Sequence, residues 1–255
     1  MKAFDEPASE RINAARGDIL LRLLGEARRR VDLAAAADVG CGFGHFSHLL
    51  LEAGLETTAV DGRRDNVEEA KRRYPELRIA VEDVESAGMG ALGVFDLVLC
   101  FGLLYHLENP FAAVRNLAAL TGRLLVVESV CAPGDEPATV MYEEDHDIDQ
   151  ALNYIAMIPT EAWLIKAMYA SGLSHVYRTI APPDHPDFRR RPVKRRRRTV
   201  LVATHMPLEL PMLVPAEEPR TRRYLWDPFG SVLESEGLRR AVRQQLAGLA
   251  RRRAE

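Results

Sequence analysis

Asp38-Val39-Gly40-Cys41-Gly42-Phe43-Gly44 is the stretch on which the fold turns. It follows a short apolar run, Leu33 to Val39, and leads into a helix-forming stretch, Gly44 to Ala53. A run that short and apolar reads as a buried strand. Glycines at a strand-to-helix turn let backbone approach a ligand closely, because no Cβ stands in the way. A dinucleotide fingerprint would need its third glycine at position 45, which is His45. The spacing here is Gly40-x-Gly42-x-Gly44, which suits a nucleoside ligand that lacks a pyrophosphate. A purely structural turn is the competing reading, and the neighbouring segments weigh against it.

Thr57 to Val60 reads as a second strand closed by Asp61, and a carboxylate at that strand end can accept both ribose hydroxyl protons. Gly62 and Arg63 follow directly and are grouped with it on the ligand side. Leu77 to Val81 is a third strand, followed by Glu82-Asp83-Val84. Asp83 is placed to accept from an adenine amino group, and Val84 to pack on the ring. Phe95 to Phe101 is a fourth strand, nearly all apolar, ending in Gly102-Leu103-Leu104-Tyr105-His106-Leu107. Open α/β sheets bind ligands at the carboxyl edge, so Cys100 and Phe101 are expected beside the reacting centre. Tyr105 and His106 are expected to face the acceptor, and an imidazole is a natural general base. The competing role for His106 is to orient its loop.

The remaining elements alternate in the same manner. Helices are expected over Ser9 to Arg30 with Ser9 as N-cap, Arg63 to Arg73, Pro110 to Leu120, and Thr160 to Ala170 with Thr160 as cap. Arg123 to Val130, His175 to Ile180 and Thr199 to Thr204 read as strands. Such alternation implies an α/β, doubly wound, mostly parallel sheet with helices on both faces.

In combination, Asp38 to Gly44, Asp61, Asp83 and the strand from Phe95 to Phe101 resemble the class I S-adenosylmethionine (SAM)-dependent methyltransferases. The resemblance covers roughly residues 32–205. It implies a Rossmann-like sheet of seven strands, the last inserted antiparallel, with SAM as cofactor and S-adenosylhomocysteine as product. It implies cofactor contacts from Asp38, Gly40, Gly42, Gly44, Asp61, Gly62, Arg63, Asp83, Val84, Cys100 and Phe101, with Cys100 to Gly102 beside the sulfonium. Gly102 to His106, Asn153 to Thr160 and Arg198 to Ala203 are similar, in order, to the tRNA wobble-uridine carboxymethyltransferase group. That group holds a carboxylated SAM with a Tyr and an Arg, which Tyr105 and Arg198 match. The chain departs from it at the N-terminal region, so ordinary SAM is expected. The stretch Asp61-Gly62-Arg63-Arg64 also resembles methyltransferases of sugar and natural-product pathways.

The whole-chain totals narrow the rest. The chain has 255 residues, 47% hydrophobic, which supports a sizeable core. A net charge of -3 is not that of a basic nucleic-acid binder. Three cysteines, without metal-site spacing, suit a reducing cytoplasm. There is no apolar run of membrane-spanning length, and the start, MKAFDEPASERIN, is not a signal peptide. Residues 188–198 hold eight basic side chains and no acid, which offers a phosphate-binding patch. Residues 134–149 are acidic, and Asp145-His146-Asp147 is too local a row to enclose a metal. No metal is expected.

The chain therefore divides into residues 1–205 as the methyltransferase domain and residues 206–255 as a C-terminal extension. Within the domain, 1–31 is an N-terminal helix and 131–159 a lid-like insert. In the extension, a proline-punctuated extended arm over 206–220 precedes a helix over 232–253, which offers a contact for a homodimer. The expected function is methyl transfer to a small-molecule acceptor, such as a sugar or secondary metabolite. The alternatives are an RNA-modifying (tRNA) methyl- or carboxymethyltransferase using the basic stretch, and a non-catalytic SAM-binding interaction protein.

Overall fold

Helix α1 (Pro7–Ala27) is followed by β1 (Ala35–Val39), α2 (His45–Glu52), β2 (Glu56–Asp61), α3 (Arg64–Arg73) and β3 (Arg78–Val81) in a computed structural model that describes residues 6–144, 152, 154–189 and 197–220. The chain continues through β4 (Phe95–Phe101), α4 (Pro110–Leu120), β5 (Thr121–Cys131), β6 (Thr139–Glu143), β7 (Ile155–Pro159) and α5 (Glu161–Ala170). It closes with β8 (His175–Thr179), β9 (Arg197–Thr204) and β10 (Leu213–Pro215).

The main sheet has the order β10-β8-β9-β5-β4-β1-β2-β3. Strands β3, β2, β1, β4 and β5 run parallel, and β9 is inserted antiparallel between β5 and β8. The chain winds outward from β1 to β3, then returns to β4 on the other side of β1. That reversal opens a crevice at the carboxyl ends of β1 and β4, the place where this architecture takes ligands. Ala36 and Ala37 of β1 and Leu97 to Cys100 of β4 are fully buried, as central strands covered on both faces require.

One face is covered by Leu20, Leu23 and Leu24 of α1 and Leu50 of α2, packed on Leu97, Leu99 and Val126. The other is covered by Val114 and Leu117 of α4 and Leu164 and Met168 of α5, packed on Val98, Cys100 and Leu125. The alternation along β4 follows from the two-residue period of a strand. Helix α1 begins with Pro7 in its first turn after an extended Glu6, so Ser9 lies inside the helix and is not its cap. A proline has no N–H to lose there and a fixed φ that fits the first turn, which outweighs a serine two residues on.

The sheet has eight strands rather than the seven expected. Residues 206–220, read as an extended arm, contribute β10, which pairs antiparallel with β8. Leu208, Leu210 and Met212 alternate into the core beside Tyr177, and the Leu208 amide donates to the Tyr177 hydroxyl at 2.8 Å. Prolines spaced between apolar residues mark an edge strand as readily as a loose arm, because an edge tolerates a missing N–H. The compact unit runs to Pro219, where the sequence reading begins its extension at 206. The helix expected over 232–253 lies outside the described residues.

The insert folds β6 and β7 into an antiparallel ribbon; Asp145, His146, Asp147 and Asp149 lie outside the described residues. Thr160 caps α5 as expected. Its hydroxyl accepts from the amides of Trp163 at 3.1 Å and Ala138 at 3.2 Å, and donates to the Glu136 carbonyl at 2.8 Å. Thr160→Ala should lower stability by about 1–2 kcal/mol, read as a shifted urea midpoint at unchanged slope. No helix among the described residues is long and apolar enough to cross a membrane.

Candidate functional site

The glycine turn after β1 is held open by its backbone. The amides of Gly40 and Cys41 both donate to the Val60 carbonyl, at 2.8 and 3.0 Å, which stitches the turn to β2. Gly40 has φ +80°, and a Cβ there would stand 2.7 Å from the Leu103 side chain. Any side chain would therefore both strain the turn and collide with Leu103.

Asp61 joins this turn to the next one. Its Oδ2 accepts from the Gly42 amide at 2.9 Å, and its Oδ1 from the Arg63 amide at 2.8 Å and the Asn66 side chain at 3.1 Å. The residue is 8% exposed and lines a cleft of about 520 Å³ at the carboxyl edge of the sheet. Burial raises its pKa, against the opposing pull of the hydrogen bonds from Arg63, Gly42 and Asn66. An ionised carboxylate has about four acceptor positions, so three partners leave it room for a ligand hydroxyl.

The same cleft is lined by Gly40, Gly42, Gly62 and Arg63, by Asp83 and Val84 after β3, and by Phe101 after Cys100 of β4. Tyr105 and His106 also line it, on a short helical turn after β4. Three residues expected at the ligand are not among those lining the cleft. Gly44 starts α2 with φ +84° and packs toward Tyr74 and Leu77. Cys100 is 0% exposed in the α4–α5 side of the core, since strand alternation sends Phe101 to the opposite face. Asp38 lies beneath the turn, 1% exposed, accepting from the Ser47 hydroxyl at 2.6 Å.

Burial pushes the Asp38 carboxyl up to about 7; the Ser47 hydrogen bond opposes this and the charge of Asp61 adds to it. The folded protein thus holds this proton more tightly than the unfolded chain. That contribution to stability is fully present below the ordinary value of 3.8 and is lost as the pH rises through about 7. Asp38→Asn, which mimics the neutral form, should remove this decline. Urea midpoints on either side of the window check it.

The far end of the cleft holds a charge network that the sequence reading largely missed. Glu128, in the middle of β5 and 0% exposed, pairs with Arg16 of α1 at 2.6 Å and with Arg198 of β9 at 3.1 Å. Arg198 also donates to the Tyr105 hydroxyl at 3.2 Å, and its guanidinium lies 5.2 Å from the ring centroid. Burial works against the charge of Arg198, but Tyr105 and Glu128 outweigh it and hold its pKa above the ordinary guanidinium value. Arg16 and Arg198 line the cleft; the buried Arg16 Nε has no hydrogen-bond partner. His106 Nδ1 lies 2.8 Å from both carboxylate oxygens of Glu144, just beyond β6.

Of the basic stretch 188–198, residues 190–196 lie outside the described residues. Arg197 and Arg198 turn inward, to Glu161 at 2.7 Å and to Glu128. Among the described residues, no group of three or more His, Cys, Asp or Glu is placed to hold a metal.

The strand order and the glycine cleft together define the Rossmann-like fold of the class I SAM-dependent methyltransferases. Within it, residues 37–122 match the family described as Methyltransferase domain. The ubiquinone biosynthesis O-methyltransferase of Xanthomonas oryzae pv. oryzae is 35% identical over 97 residues, covering 36% of this chain and 41% of that protein. The chain thus spans about two fifths of the length of the curated relatives it matches. The N-terminal domain of EvdMO1 with SAH bound superimposes with a TM-score of 0.61 at 19% identity, over 78% of this chain and 81% of that one. The sugar N-methyltransferase KedS8 from a Streptoalloteichus species gives a TM-score of 0.53 at 19% identity, over 76% and 88%. At such identities these two likenesses speak for the fold.

Proposed function

We propose that the protein is a SAM-dependent methyltransferase acting on a small-molecule acceptor. The observation that carries this reading is the convergence of the Gly40–Gly42 turn, Asp61, Asp83 with Val84, and Tyr105 with His106 on one cleft. Its volume, about 520 Å³, is that of a small-molecule site. The residues present fit the cofactor. Gly40, Asp61 and Asp83 line one cleft, and so does Arg16, whose buried Nε has no hydrogen-bond partner.

Asp61 would take the ribose hydroxyls, Asp83 the adenine amino group, and Val84 the face of the ring. Gly40 and Gly102 leave the backbone open beside the reacting centre, and Arg16 supplies positive charge for a carboxylate. Bound SAM supplies an electrophilic methyl group on a sulfonium. The protein's task is then to hold the acceptor atom in line with it, and positioning of this kind accounts for much of the rate. Tyr105 and His106 stand on the acceptor side. The relative named for a ubiquinone-pathway O-methylation supports a small hydroxylated acceptor. Of the basic stretch, the described Arg197 and Arg198 are engaged with internal carboxylates rather than offered to an RNA.

Isothermal calorimetry with SAM tests the reading. One site per chain, weakened by substitution of Asp61, is the expected result; no heat of binding from the folded protein would end it.

A further inference from the structure

We infer that Glu144 is a positioning residue that fixes His106 as the general base for a hydroxyl acceptor. This rests on the methyltransferase reading above and goes beyond it by assigning the acceptor atom. His106 lies on the turn directly after β4, lines the cleft and is 16% exposed at its side chain. Its Nδ1 is 2.8 Å from both oxygens of Glu144, whose side chain is 5% exposed. With Glu144 ionised, its carboxylate only accepts hydrogen bonds, and Nδ1 carries the hydrogen. In the neutral ring that leaves Nε2 as the bare acceptor nitrogen.

The geometry is braced from both sides. The Glu144 amide donates to the Tyr154 carbonyl at 2.8 Å, which ties the residue to the β6–β7 ribbon. The Met157 amide of β7 donates to the Leu107 carbonyl at 2.8 Å, which ties the ribbon to the histidine turn. The Tyr105 ring lies 4.1 Å from the imidazole, centroid to centroid. A carboxylate, an oriented imidazole and an open cleft form the arrangement in which a carboxylate sets the tautomer of a base.

The dyad discriminates among acceptor atoms. A neutral amine attacks with a lone pair that is already free, and its proton leaves afterwards. A hydroxyl must lose its proton as it attacks. Here the acceptor O–H bond breaks and its proton passes to Nε2. The oxygen lone pair forms the new O–CH₃ bond. The C–S bond breaks with both electrons going to sulfur, giving a neutral thioether, and the imidazolium returns its proton to water. The balance needs no further reactant.

The test is nitrogen NMR of the full chain with labelled histidine, saturated with S-adenosylhomocysteine, with His106→Gln used to assign the resonance. The wild type should show the Nδ1–H form with proton-free Nε2. Glu144→Gln, whose amide oxygen can still accept from Nδ1, should keep it, and Glu144→Ala should shift the ring toward the Nε2–H form. Calorimetry should show unchanged affinity for S-adenosylhomocysteine in both variants. A wild-type ring in the Nε2–H form, or a tautomer indifferent to Glu144→Ala, overturns the proposal and leaves the cofactor reading intact. Failure of S-adenosylhomocysteine to bind the wild type overturns both. In transfer from labelled SAM to catechol, His106→Gln should lower turnover by about 10²-fold. Catechol methylation undiminished by that change would also overturn the proposal.

Discussion

Asp61→Ala lowers the affinity for SAM by about 10- to 10²-fold. The carboxylate has a double part in the cleft. Toward the ligand it would accept from a ribose hydroxyl, and a hydrogen bond to a charged group is worth about 1.5–3 kcal/mol. Three acceptor positions are already taken by the protein, so one remains for a ribose hydroxyl. That bond amounts to about one to two decades in affinity, since each decade is about 1.4 kcal/mol. Toward the protein it holds the amides of Gly42 and Arg63 and the side chain of Asn66. Alanine leaves these three donors to water or to one another, so the glycine turn loses its registration with β2 as well. Asp61→Asn should fall between, because its amide oxygen can still accept while its amide nitrogen faces a donor. Calorimetric titration of the three proteins checks the order; an Asp61→Ala affinity within a factor of about two of wild type would contradict it, being far below one decade.

Glu128→Gln lowers folding stability by about 3–5 kcal/mol, the usual result of removing one member of a buried charge cluster. Glu128 is fully buried and is the shared anion between Arg16 and Arg198. Without its charge, two guanidiniums face each other across an amide that can accept from only part of their N–H groups. The loss comes from stranded cations rather than from a lost packing contact, since Gln has nearly the same volume. Replacing Arg16 by Met in the same chain should therefore recover part of the stability, whereas independent sites would simply add. Urea unfolding of the two single variants and the double variant measures this coupling.

Legibility in the sequence followed the strength of local constraint. The glycine turn, Asp61 and Asp83 come to line one cleft because each lies at or just beyond a strand end, and strand ends in a doubly wound sheet converge on one edge. The ends of α4 were readable because Pro110 opens it and a strand-forming run follows Leu120. Cys100, expected beside the ligand, sits in the core instead. The two-residue period puts Phe101 toward the cleft and Cys100 in the core.

Arg16 and Glu128 each left a signal. Arg16 interrupts the apolar stripe of Ile12, Ile19, Leu20 and Leu23, and Glu128 interrupts the run from Leu124 to Val130. A charge on a face that must be buried implies a partner. Which partner it meets depends on how α1 crosses the sheet, and no local pattern encodes that. Glu144 is harder still, because its meeting with His106 depends on how the β6–β7 ribbon folds back over the turn.

A crystal structure of the protein with S-adenosylhomocysteine tests the central claim most directly. The account predicts the ribose hydroxyls within about 3.2 Å of the Asp61 carboxylate. It predicts the adenine against Val84 and the sulfur at the Gly40–Gly102 edge, facing Tyr105 and His106. A ligand bound elsewhere, or one bound in the cleft with its ribose out of reach of Asp61, would contradict it.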